Sequence, residues 1–189
     1  MLYEAIIVGI IAGWLAKGSI TNLAQIRLKY FLPVLGAILI LIGMEYFGAR
    51  GYQEIFQWRQ GLYLLSYIMF FIFLWQYRRM SGIKILALGL LCNLLVVMIN
   101  GGAMPTTTNG LDLEYLSALQ AGNLVTNTLI TESTYLPWLG DVMVLPWQKT
   151  RVLSLGDIFA SAGLFWFVFQ MMRGDQVCAK LTSVRKMKF

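Results

Sequence analysis

Five apolar runs, at residues 2–16, 31–47, 61–77, 83–99 and 158–172, leave this chain few ways to fold. Each is fifteen to seventeen residues long and holds at most one charged residue. A hydrocarbon core about 30 Å thick takes about 20 residues of helix, so the runs read as short membrane spans. Composition agrees. The chain is 58% hydrophobic and 13% charged, where a soluble domain carries roughly 25% charge. With 189 residues, nothing is left over for a separate soluble domain. The expectation is an all-α fold: a polytopic membrane protein of about five transmembrane helices, forming one domain over residues 1–189.

The first run holds Gly9 and Gly13 at the spacing that lets two helices approach closely. It has no basic region before it and no small-x-small cleavage site after it, so it is expected to stay in the protein. Residues 17–29 place Leu23 and Ile26 on one face with Arg27 and Lys29 nearby, the pattern of an amphipathic connector at the interface. Pro33 stands in the first turn of the second run, where its missing N–H costs nothing.

Lys and Arg fix the orientation. Lys17, Arg27, Lys29, Arg78, Arg79, Lys84 and the five basic residues of the tail 173–189 fall on one side. Only Arg50, Arg59, Lys149 and Arg151 fall on the other. The positive-inside rule then puts the N-terminus outside and the C-terminus in the cytoplasm of a bacterial cell membrane. Eight of the nine acidic residues gather on the outer side, leaving only Asp175 inside.

Several chemistries are excluded at once. The chain has no histidine, which removes Ser-His-Asp and Cys-His catalysis, His-ligated haem and most catalytic zinc sites. Cys92 and Cys178 make neither a disulfide framework nor a metal site. No Walker loop, dinucleotide glycine pattern or EF-hand is present. No cofactor, metal or catalytic residue is therefore assigned. The net charge of +6 sits in connectors and in a basic tail without the aromatic interleaving that stacks bases. Anionic lipid headgroups, not nucleic acid, are its expected partners.

Residues 100–157 break the pattern. They hold three of the four prolines and five of the nine acidic residues, yet stay too apolar for a free loop. Asn100-Gly101-Gly102 closes the fourth run with residues that tolerate left-handed backbone. A short helix over 111–120 would place Leu111, Tyr115, Leu116 and Leu119 on one face. Trp138 and Trp147 suit headgroup level. Irregular backbone near a bilayer must be buried in protein or line a cavity, so this segment is expected to cap the outer ends of the helices.

Asp157 opens the fifth run within Ser154-Leu155-Gly156-Asp157, and Leu139-Gly140-Asp141 repeats the Leu-Gly-Asp triplet. Gly-x-Gly-Asp at a membrane helix marks intramembrane aspartyl proteases, in which two carboxylates share a proton. Here Ser154 replaces the first glycine and no Tyr-Asp partner precedes it, so Asp157 is read as an N-terminal helix cap. Glu45 and Asn93 are the remaining polar groups within the runs, and Asn93 is read as interhelical glue.

Ile20-Thr21-Asn22-Leu23-Ala24, Asn100-Gly101-Gly102-x-Met104-Pro105, Leu136-Pro137-x-Leu139-Gly140-Asp141 and Ser154-Leu155-Gly156-Asp157 together resemble a bacterial integral-membrane family of unknown function, found largely in Gram-positive-type bacteria. The resemblance implies a compact helical membrane domain and supplies no activity.

Three readings of function follow. In the first, the bundle binds or transports a small amphipathic ligand, a lipid or quinone, under the outer cap. Asn100, Glu132, Asp141 and Asp157 would then converge on one pocket. In the second, the chain is a non-catalytic assembly subunit that docks a membrane protein partner or a second copy of itself. In the third, Asp141 and Asp157 form an intramembrane aspartyl hydrolase, which requires their carboxylates within hydrogen-bonding reach.

Overall fold

The structure is a computed structural model that describes residues 2–24, 31–145 and 148–174. Seven helices dominate these residues: α1 (Leu2–Leu15), α2 (Ile20–Ala24), α3 (Leu32–Ala49), α4 (Gln53–Gln76), α5 (Ile83–Ile99), α6 (Leu113–Gln120) and α7 (Leu155–Arg173). Between α5 and α7 lie four short strands: β1 (Met104–Thr106), β2 (Asn127–Leu129), β3 (Met143–Leu145) and β4 (Gln148–Leu153).

The fold is mostly helical, and the all-α expectation needs correcting in the 100–157 segment. β1 and β2 pair in parallel, while β3 and β4 form an antiparallel pair. The reason is backbone satisfaction. A segment broken by Pro105 and Pro137 cannot stay helical, so its buried N–H and C=O groups pair between strands. Met104 N donates to Thr126 O, Ile130 N to Thr106 O and Thr107 N to Asp141 O.

The expectation of five membrane-spanning helices is not supported among the described residues. Two helices, α3 and α7, are both long and apolar enough to cross a membrane. α1 and α5 are apolar but have 14 and 17 residues, rising about 21 and about 25 Å. α4 has 24 residues, but Arg59, Gln60 and its tyrosines dilute its hydropathy. It also begins at Gln53, so residues 53–60, expected as part of a polar link, are helical. Residues 25–30, with Ile26, Arg27 and Lys29 of the expected connector, lie outside the described residues. So do Trp147 and the basic tail from residue 175.

Adjacent helices follow the order α1, α7, α5, α4, α3. Side-chain matching gives their directions. Gly9 faces Val168 and Gly13 faces Met172, so α1 and α7 run parallel. Gly89 abuts Ala160 and Gly163 abuts Leu86, so α5 and α7 run antiparallel with their backbones nearly touching. A Cβ on Gly156 would collide with the Asn93 side chain, which explains the glycine there. At the far end of α5, Gly101 and Gly102 take φ of 72° and 89°. Gly102 N reaches back to Val97 O, while Arg59 Nε and Gln60 Nε2 of α4 donate to Gly101 O and Met98 O. The orphan carbonyls of α5 are thus satisfied by the neighbouring helix.

Candidate functional site

At the cap end of the bundle, α4, α5, β1, β2 and the start of α7 enclose a polar pocket of about 180 Å³. Tyr63 and Tyr67 form one wall, one helical turn apart on α4, with their rings stacked at 5.8 Å between centroids. Asn93, Asn127, Asp141 and Asp157 supply the polar groups.

Each carboxylate is held by its local fold. Ser154 Oγ accepts from Asp157 N, and Asp157 Oδ2 accepts from Ser154 N, a reciprocal capping box at the start of α7. Asp157 Oδ1 accepts from Asn93 Nδ2 at 2.9 Å, while Asn93 Oδ1 accepts from Ser154 Oγ at 2.8 Å. Asn93 is only 7% exposed, so this amide locks α5 to α7 at the pocket floor. It acts as the glue its position within an apolar helix implies.

Asp141 is held from the other side. Its N–H donates to Pro105 O, forming a parallel bridge beside β1. Asn127 Nδ2 donates both to Thr106 Oγ1 and to Asp141 Oδ2. β1 is therefore the post from which β2 and the Asp141 segment both hang. Burial, then the Asp157 charge, push the Asp141 pKa up to about 8, against the lowering effect of the Asn127 bond. Tyr115 on α6 is pushed up to about 12, mainly by burial and then by Asp141 and Glu45.

Glu45, near the C-terminal end of α3, accepts from both the N–H and the hydroxyl of Thr126, next to Asn127. Beside it lies a second, larger space of about 640 Å³, lined by Leu41, Ile42, Glu45, Tyr46, Tyr63 and Thr126 among others. Tyr63 lines both spaces.

Of the four residues singled out from the sequence, Asp141 and Asp157 line the pocket together. Asn100 does not line it. Its amide accepts from Tyr135 N and donates to Tyr135 O and Val96 O, tying the cap to the end of α5. Glu132 is exposed on a turn and stands apart from the pocket lining. Tyr63, Tyr67 and Asn127 were missed. The two tyrosines carried a signal, a four-residue spacing on one face of an aromatic helix. Asn127 carried none, because β1–β2 pairing sets its position.

The sequence model of DUF5317, a family of unknown function, matches residues 25–169. The chain belongs to this family. An uncharacterized protein of Thermotoga maritima, 31% identical over 127 residues, covers 66% of this chain with 73% of its own length. No solved structure matches the chain. Family membership brings no activity, so the function must be read from the pocket.

Proposed function

We propose that this protein is a multi-pass membrane protein that binds a small amphipathic ligand under its outer cap. The membrane reading is supported by what the helices leave uncovered. α1 exposes Ile7, Val8, Ile11, Trp14 and Leu15, and α3 exposes Leu32, Leu35, Leu39 and Ile42. Only 17% of the apolar window of α3 is buried. A core helix of a water-soluble protein would be mostly covered, and patches this large call for lipid or a partner. The helix directions fit five passes, since α1 and α7 run the same way and α5 the opposite way. That topology places the cap and Asp141 outside, and the α4–α5 turn with Arg78, Arg79 and Lys84 in the cytoplasm.

The ligand reading rests on one observation: Tyr63 is shared by a small polar pocket and a larger, mostly apolar groove. A pocket of about 180 Å³ is below the roughly 300–1,000 Å³ of ordinary ligand sites. It suits a headgroup, with the apolar body lying along Leu41, Ile42 and Tyr46.

Native mass spectrometry of the protein gently extracted from its own membrane tests this. We expect a bound amphipath of defined mass, lost on Asp141→Ala. Bare protein, or a second polypeptide in its place, would turn the reading to an assembly subunit. The convergence of Asp141 and Asp157 also favours a second reading, a hydrolase in which the pair shares one proton. Hydrolysis of a membrane lipid or peptide, abolished in both Asp→Asn variants, would establish it.

A further inference from the structure

The chemistry of the pocket narrows the ligand class. Two carboxylates from separate elements, Asp141 and Asp157, face it, and no basic side chain is among its lining residues. Acidic groups alone would not define a ligand, but the wall opposite them does more. Tyr63 and Tyr67 present stacked rings, and aromatic faces attract organic cations. Tyr67 is 8% exposed and lines the pocket, yet its hydroxyl makes no hydrogen bond to any described residue. Here it borders the space a ligand would fill.

We infer, on the basis of the amphipathic-ligand reading, that the pocket selects a cationic headgroup, an organic ammonium held between the carboxylates and the tyrosine pair. An organic ammonium suits the pocket better than a bare metal ion. Calcium takes six to eight oxygen ligands, and among the described residues no group of three acidic or cysteine side chains converges. Both Asp157 oxygens already accept hydrogen bonds, so that carboxylate contributes charge from a fixed position. Asp141 receives a side-chain bond only at Oδ2, which leaves Oδ1 for the ligand.

The titratable groups facing Asp141 are Asp157 on α7 and Tyr63 and Tyr67 on α4, with Glu45 on α3 and Tyr115 on α6 farther out. None of these is a cation. At pH 9, above the value of about 8 at which Asp141 loses its proton, the pocket is most negative and the selection strongest.

Equilibrium dialysis of the full chain in a neutral maltoside micelle, against protein-free micelles, tests the inference with three radiolabelled probes of one chain length. These are decyltrimethylammonium, decanol and decyl sulfate. At pH 9 we expect the ammonium to bind at least tenfold more tightly than either of the others. Asp141→Asn and Tyr67→Leu should each lose that preference and keep the decanol affinity, which shows the groove intact. Equal binding of all three would overturn the cationic headgroup and leave the groove standing. Preference for the sulfate would overturn it outright. Binding of none would overturn both the headgroup and the amphipathic-ligand reading.

Discussion

Asn93 gives the buried Ser154 hydroxyl the acceptor for its proton and gives Asp157 Oδ1 its side-chain donor. Replacing it with Leu keeps the volume and strands both. Leaving buried polar groups unsatisfied costs about 1–3 kcal/mol each, so Asn93→Leu should lower the thermal unfolding midpoint clearly, while Asn93→Asp would add a like charge beside Asp157. Asp141 makes a second prediction, with its sign set by burial. Its proton is held more tightly folded than unfolded, since the pKa rises from 3.8 to about 8. Stability of the ligand-free protein is then fullest below about pH 4 and falls as pH rises to about 8. Asp141→Asn should flatten that slope in unfolding scans from pH 5 to 9. An unchanged slope would remove Asp141 as its source. At this scale the sequence was partly legible. Asp157, read from the sequence as the helix cap, is the third helical residue and answers the true cap, Ser154, while Asn93 stands out within an apolar run. The partners of Asn93, Ser154 as donor and Asp157 as acceptor, lie 61 and 64 positions away, and nothing local could name them.

The α5–α7 seam is the tightest element contact. Gly89, Gly156 and Gly163 bring backbone against backbone, as membrane helices do where hydrophobic driving force is absent. Gly163→Leu should push α7 off Leu86 and cost about 1–3 kcal/mol or more, read as a lower unfolding midpoint and weaker ligand binding together. Gly61→Ala, at a position with open space around it, is the neutral control. Helices were the legible elements, because apolar runs and capping residues are local signals. The starts of α5 and α7 follow Gly82 and Ser154. The strands were not legible. β1 and β2 have three residues each and pair across twenty-three positions, so neither shows a period that a sequence could display. Extension of α4 back to Gln53 was missed for a related reason. Its polar first turns are helical because Arg59 and Gln60 cap α5, a tertiary gain that overrides composition.

Among the described residues the two ends of the bundle differ in charge, although Arg50 and Arg59 stand at the acidic end. Glu45, Asp141 and Asp157 cluster at the cap, and Arg78, Arg79 and Lys84 at the opposite turn. The proposed five-pass topology predicts opposite labelling of two single-cysteine variants in intact cells, made in a background without Cys92 and Cys178. Asn109→Cys should react with a membrane-impermeant maleimide, and Ser81→Cys only after the membrane is opened. Reaction of both from outside would refute the topology. The hydrophobic runs made the membrane reading legible, but run length alone could not separate a full span from α1, which is short.

The place of α7 in the packing bears on how the protein is made. α1 is made before α7, and the face it offers through Gly9 and Gly13 is matched by Val168 and Met172 of α7. α5 likewise waits for Gly156 and Ala160. Synthesis therefore delivers α7 after the two helices that depend on it, and with it the second carboxylate of the pocket. Until then, α1 and α5 lack the helix they pack against, and Asn93 lacks both Ser154 and Asp157. The pocket lacks its wall at Asp157 until α7 has been made.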